Sequence, residues 1–556
     1  MSIYKPLRDS REHPKIRLLR LFRLLSDQPD RAQIRLLRLH PGDFNDPIDC
    51  DIKVTTYAKS IKKYEAISYC WGNAEDTVPL TCNGVRTLVT RNLHDALRRF
   101  RPARGTAARL LWADALCINQ KDYEEKGKQV GRMGEVFANA SRVLVWLGGD
   151  VDDTTATDTF AMIREINQYL GEVFIQCRQN LNAMPVLSKP YPICLEENKW
   201  HGVAALLKSS WFSRVWTIQV MVSILGIFNY LIHEQEAALA KECTVFWEHA
   251  EIEAADIIEL CLWCGRKQDL GHILGEFAKA PSFPQVYLNF LTYELYRSGY
   301  SGSGKWFESR PLSADFAKYE LVDHPWLSLL DRCSSLNATD ARDYIYAFLG
   351  CPAAISDNNH PYLEADYTIS KDELYKRVAR ILLHSPKEGP WVLHAVRQQD
   401  REELMRSRTT SWVPSWGNAR RVPFLTLGAD FSHMAGGSKS LLQTEEHDGA
   451  TLSIRGQLLD EVTWMSDIIE SERFLIARQQ PELEPYIDKL WNQLSRQMAG
   501  IDKVLHHKDF FLALLRGFYG SSSHAEKRYG EFSHAYLEAV GSKVITDASK
   551  GKGEIV

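Results

Sequence analysis

Residues 114–120, Asp-Ala-Leu-Cys-Ile-Asn-Gln, place a carboxylate, a thiol and two amides directly behind an apolar run, Leu110-Leu111-Trp112-Ala113. A carboxylate there can accept hydrogen bonds from a ligand's hydroxyls or stabilise developing positive charge, and the amides can both donate and accept. Trp71-Gly72 closes a second such run, Ala66-Ile67-Ser68-Tyr69-Cys70, and adds a flat ring with one N–H donor. The competing reading is structural. Asp and Asn at strand ends are common turn formers, so Asp114 and Asn119 would cap loops while Trp71 packs between layers. Cys117 has no histidine neighbour in sequence and reads as a buried thiol rather than a nucleophile. Cys261-Leu262-Trp263-Cys264 has the spacing of a metal or redox motif, but it falls in a helical pattern without a second such pair. The chain has no P-loop, no GxGxxG and no GxSxG. The acidic residues near 310–345 read as solvated faces.

The apolar pattern says which elements hold these groups. The basic motif IRLLRL occurs at 16–21 and at 34–39, and the second copy reads as a strand. Residues 34–56 form a hairpin with a long loop, and 64–72 form a buried strand ending in Gly. A helix over 92–101 follows, with Asn92 as its N-cap and Leu93, Ala96, Leu97 and Phe100 on one face. Residues 109–118 give a second buried strand and 141–149 a third. Between them, 122–140 reads as one helix with Val130, Met133, Val136 and Phe137 inward. Strands alternating with helices predict βαβ crossovers and a parallel sheet. From about 155 to 350 the pattern is mainly helical, with breaks at 182–193 and 298–306. Residues 448–462 read as strands around an Asp-Gly turn. The end is helical with a frayed tail.

With 556 residues, 45% apolar and 25% charged, the chain has the composition of a multi-domain globular protein. A net charge of −4 gives no global basic footprint, so neither nucleic acid nor an anionic membrane is expected as a partner. Eleven cysteines without a framework pattern suggest a reducing compartment. The opening residues lack the apolar stretch and cleavage site of a signal peptide, and no run is long enough to span a bilayer. A cytoplasmic location is therefore expected.

Four ordered stretches carry a resemblance. Ala66–Gly72 is similar to an AxSYxWG strand, Asp114–Gln120 to a DAxCINQ strand end, Glu125 with Gln129-Val130 to the helix that follows, and Ser141–Gly148 to SRVxVWLG. Together they resemble the fungal heterokaryon incompatibility (HET) domain. Further matches follow at 339–350 (TDARDYIYAFLG), 365–375 (ADYTISKDELY) and 411–416 (SWVPSW), with Ser415 where the family usually has Asp. The resemblance implies an α/β fold: a parallel-sheet, TIR-like N-terminal domain, a mainly helical region and a small β-containing C-terminal part. The expected boundaries are an N-terminal arm at 1–33, the HET domain at 34–250, the helical region at 251–408 and a mixed region at 409–556.

The family also has a WFxRxWxxQExxLA element. Trp211, Phe212, Arg214, Trp216 and Gln219 match its start, and Glu236 to Ala240 match its end. The sixteen residues between, 220–235, are an apolar run that begins with Val and ends with Gln. Val codons start with GT, Gln can be CAG, and Leu231-Ile232 can encode a branch-point sequence. The run is read as a retained intron; the competing reading is a real apolar helix extension. TIR enzymes place a Glu just beyond such an element, where it holds the ribose hydroxyls of NAD. By that likeness Glu236 would be the catalytic carboxylate, with Trp71, Gly72, Asp114, Asn119, Gln120 and Trp216 lining the binding cleft and NAD as the substrate. The resemblance implies non-self recognition ending in growth arrest or cell death. It can act through a protein partner or self-association, through NAD cleavage, or, in a third reading, as an accessory enzyme of a fungal biosynthetic pathway. No metal or tightly held cofactor is called for.

Overall fold

The computed structural model describes residue 4 and residues 32–149, 153–186, 197–217, 242–267, 269–270, 310–311, 326–349, 354, 361–385, 388–396, 410–417, 444–447, 451–454 and 492–493. The chain divides into two compact units, residues 1–428 with 441–453, and residues 429–440 with 454–556. Almost all described residues lie in the first unit. In the second they are Ile454, which ends a strand, and residues 492–493.

The first unit is built on one sheet with the strand order β5-β4-β2-β1-β6-β3-β7-β8-β9. The strands are β1 Gln33–Leu39, β2 Asp49–Thr56, β3 Glu65–Tyr69, β4 Thr77–Cys82, β5 Val85–Thr90, β6 Arg109–Trp112, β7 Arg142–Trp146, β8 Cys243–Trp247 and β9 Ala250–Glu253. The expected parallel order holds at the centre, where β6, β3, β7 and β8 run parallel. At the flanks antiparallel pairing dominates, although β2 and β4 are parallel. β1 lies antiparallel to β6, and β1–β2, β4–β5 and β8–β9 are antiparallel hairpins. The sheet is therefore mixed. The β1–β2 pair is the hairpin read from the sequence.

The central strands are apolar on both faces because helices cover them. Ala66, Ile67, Val143, Leu144 and Val145 are all buried. Helix α1 is the single turn Tyr57–Ser60, and α2 is Arg91–Phe100. The inward face of α2 is the one expected, with Phe100 edge-on to Phe246 at 5.0 Å. Its cap is not. Thr90 occupies the N-cap, and the Asn92 amide has another task. It donates to the Cys70 carbonyl at 2.6 Å and accepts from the Trp146 indole at 2.8 Å, tying the ends of β3 and β7 together.

The second buried strand is shorter than its apolar run. β6 stops at Trp112, and Asp114–Cys117 form a helical turn, α3. The helix expected over 122–140 is two helices, α4 Tyr123–Val130 and α5 Met133–Asn139, which join at Gly131-Arg132. Val130, Met133, Val136 and Phe137 still face inward. Asp122 caps α4 by accepting from the Glu125 amide at 3.0 Å.

Beyond the sheet the helices are α6 Asp153–Gln176, α7 Glu197–Leu207, α8 Ala254–Arg266, α9 Trp326–Arg332, α10 Asp343–Tyr346, α11 Lys371–Leu383 and α12 Gly389–Ala395. Helix α6 buries Phe160, Ile163, Ile166, Leu170 and Phe174, the i, i+3, i+4 stripe of an amphipathic helix. Phe174 meets Trp263 of α8 edge-on at 5.7 Å. A two-stranded sheet pairs Thr444–His447 with Thr451–Ile454, and the residues of the expected Asp-Gly turn between them lie outside the described residues. No helix among the described residues is long and apolar enough to cross a membrane. The first IRLLRL copy, the loop at 298–306 and the C-terminal helical pattern lie outside the described residues, apart from 492–493.

Candidate functional site

A cavity of about 500 Å³ opens at the carboxyl ends of β3 and β6. This is where open α/β sheets place their ligands. Trp71, Asp114, Gln120 and Trp216, four of the residues singled out from the sequence, line it together. Gly72 and Asn119 do not. Gly72 turns the chain after β3 with a φ of +75°, a backbone role. Asn119 shapes its loop, its side chain accepting from the Lys121 amide and its own N–H donating to Glu125 at 2.9 Å. Glu236 and the whole of 220–235 lie outside the described residues.

Asp114 is held at the start of α3. One carboxylate oxygen accepts the Trp71 indole N–H at 2.8 Å, and the other accepts the Ala115 amide at 2.8 Å. Gln120 folds back and donates to the Asp114 carbonyl at 3.0 Å. Protein surrounds Asp114 while one side still faces the cavity. Desolvation therefore raises its pKa, against the hydrogen bonds and the Arg214 charge that favour the ionised form. Tyr69 stands beside it with its hydroxyl pKa pushed well up, first by burial and then by the Asp114 charge. The Tyr69 Oη is buried, and among the described residues it makes no hydrogen bond of good geometry.

The loop behind Asp114 is fixed from below. Arg35, buried in β1, donates from Nη2 to Glu125 at 2.9 Å in a paired contact, and also reaches the Cys117 carbonyl at 3.4 Å. Glu125 thus binds β1 to the loop that carries Asn119 and Gln120. Cys117 is buried, and desolvation pushes its thiol up to about 12, the wrong direction for a nucleophile. Cys261 and Cys264 are likewise buried in α8, Cys261 pushed up to about 12.

The far wall comes from the Trp211–Trp216 segment and from Asp340 and Asp343, two residues that the sequence reading did not assign to the site. Trp211 donates to the Ser68 hydroxyl at 2.9 Å, which seats the Trp211–Trp216 segment across β3. Arg214 then pairs with Asn337 in an isolated parallel bridge, closed by the Asn337 amide to the Ser213 carbonyl at 2.7 Å and the Val215 amide to the Asn337 carbonyl at 3.0 Å. That bridge delivers Asp340 and Asp343 to the cavity. Asp343 accepts the Trp216 indole at 3.0 Å and the Tyr367 hydroxyl at 2.7 Å, and desolvation raises its pKa. The expectation that the acidic residues of 310–345 are solvated faces is therefore wrong for Asp343 and for the buried Asp331. Charge alone hid this: a carboxylate that receives two donors can be buried.

The three downstream sequence matches are one cluster. Arg342 grips Asp340, with Nη2 at 2.6 Å, and donates to the carbonyls of Tyr367 and Ile369. Tyr346 donates to the Asp366 carbonyl at 2.6 Å. Tyr375 donates to the carbonyls of Ala341 and Trp416, joining 339–350, 365–375 and 411–416. Close approach fixes Gly127: a Cβ there would meet the Ala365 carbonyl oxygen at 2.3 Å. Beside it Lys126 sits 4.1 Å from the centre of the Tyr367 ring.

Fold and site together define an α/β protein with a strand-end cleft in which a few polar groups converge on an apolar lining, walled partly by its own downstream chain. Residues 64–219 match the model of the heterokaryon incompatibility protein (HET) family. The chain is also 25% identical over 441 residues to heterokaryon incompatibility protein 6, OR allele, of Neurospora crassa, an alignment covering 71% of this chain and 60% of that protein. It thus spans less than two thirds of that relative's length. No solved structure matches. The chain thus contains a stretch, residues 64–219, that is similar to the HET domain.

Proposed function

We propose that this protein is an effector of fungal non-self recognition, whose HET domain drives growth arrest or cell death through homotypic assembly in the cytoplasm. The observation that carries this reading is the HET match over 64–219, supported by a relative named for heterokaryon incompatibility. We further propose that 220–235 is a retained intron. The family match ends at Gln219, the residue before the run. Sequencing the transcript across Gln219 and Glu236 tests this, and a main mRNA carrying all these codons would refute it.

The cavity favours a second reading, a TIR-like domain that cleaves NAD. Trp71, Asp114 and Trp216 converge at a strand-end cleft large enough for a cofactor-sized ligand. Glu236 would then face the ribose and stabilise an oxocarbenium-like transition state by its charge. One experiment separates the two. Cellular NAD and viability are followed after induced expression of the chain lacking 220–235, and of its Glu236→Gln variant. Assembly predicts death in both with NAD held. Cleavage predicts NAD loss and death in the first only. Survival with steady NAD in both contradicts either reading.

A further inference from the structure

Arg214 lines the cavity, and among the described residues its side chain makes no ion pair and no hydrogen bond. Other arginines of this unit behave otherwise: Arg35 holds Glu125, Arg109 holds Glu65 and Arg342 holds Asp340. The Arg214 backbone is fixed on both sides by the bridge to Asn337, so the guanidinium is presented rather than loosely tethered. Tyr69, 8% exposed and also on the cavity wall beside Asp114, carries a buried hydroxyl that makes no hydrogen bond of good geometry among the described residues. A buried hydroxyl without a good hydrogen bond is costly and calls for one. The same cavity holds two acceptors. Asp114 and Asp343 each take an indole N–H and one further donor, while a carboxylate has about four lone-pair sites.

We propose that the cavity binds a small organic anion. Its phosphate or carboxylate head pairs with Arg214 and the Tyr69 hydroxyl, and its hydroxyls donate to Asp114 and Asp343. A guanidinium fits both kinds of head in bidentate fashion. The two aspartates make the site selective, because they repel a bare anion and reward one that brings O–H donors. A volume of about 500 Å³ suits a metabolite rather than an inorganic ion. Because Asp114 and Asp343 come from segments far apart in sequence, such a ligand holds the 337–367 segment against the sheet. The binding stands independently of the incompatibility role.

The test is isothermal calorimetry on the full chain with ribose 5-phosphate, gluconate and inorganic phosphate. The first two share hydroxyls and differ in the head, so they identify which head the site takes. At least one of them binds, and inorganic phosphate binds about tenfold or more weakly. Arg214→Gln weakens the binding by about tenfold or more. Tyr69→Phe weakens it by a smaller factor while leaving the unfolding temperature of the free chain unchanged or higher, since it removes a buried hydroxyl without a good hydrogen bond. The proposal is overturned if neither organic probe binds, if inorganic phosphate binds equally well, or if Arg214→Gln binds as tightly as the parent.

Discussion

Two indole–carboxylate pairs face the same cavity, and they are built in opposite ways. Trp71 and Asp114 stand at the ends of strands in one sheet, each placed by the strand before it. Trp216 and Asp343 lie 127 residues apart and meet only because the Arg214–Asn337 bridge and the Tyr367 hydroxyl bring them together. The first pair depends on the sheet. The second depends on docking of the downstream segment onto it. The site is therefore composite, and its second half should be separable from the fold in a way that the first is not.

The largest expected effect is at the docking surface. Gly127→Ala puts a methyl group where the Ala365 carbonyl sits, with backbone on both sides and no flexible side chain to give way. We expect a loss of about 2 kcal/mol or more, within the range of overpacked contacts. Urea unfolding measures it, and hydrogen exchange should show the loss concentrated at 337–370 while β3 and β7 stay protected. A uniform loss would erase the distinction between the two regions.

Removing one indole N–H sharpens the comparison. Trp216→Phe leaves Asp343 with Tyr367 as its remaining side-chain donor, and Trp71→Phe leaves Asp114 with the Ala115 amide. Each should cost about 1.5–3 kcal/mol, the value of hydrogen bonds to charged groups. Hydrogen exchange should place the Trp216 loss in the docked segment and the Trp71 loss in the sheet. Comparable deprotection of the sheet by both would contradict the difference drawn here.

The smallest effect is in pH. Both carboxylates have raised pKa values through desolvation, so the folded chain keeps their protons when the unfolded chain has released them. The stability they contribute is present below the unfolded value, near 3.8 for Asp, and is lost as pH rises through the higher folded value. The Asp114→Asn, Asp343→Asn double variant does not titrate there. Its unfolding temperature relative to the parent should thus be more favourable at pH 7 than at pH 4. A difference that does not change with pH would show that the two groups are not desolvated.

The contrast also explains what could be read from the sequence. The three central strands, the α2 face and the Trp71–Asp114 half of the cleft were legible because strand periodicity and short motifs are local signals. The flanks of the sheet were missed for different reasons. Asn83-Gly84, with φ of 52° and 73°, is the hairpin turn between β4 and β5, a signal that was present but not used. The β8–β9 hairpin turns at Glu248, an unusual residue for positive φ, inside a stretch that reads as helix. Asn92 has the chemistry of a cap, yet strand ends on either side claim its amide. Asp343 lies in the matched stretch 339–350, but its place in the site was not legible, because no local pattern says that a carboxylate will meet an indole 127 residues away.

The central claim is that the two segments make one site, and a double-mutant cycle on Trp216→Phe and Asp343→Asn tests it most directly. Urea unfolding of the parent, both single variants and the double variant gives the interaction energy. The composite site predicts a coupling of about 1 kcal/mol or more, within the range for contacting partners. Strictly additive losses would contradict it, and would mean that Asp343 is not a wall of the cleft.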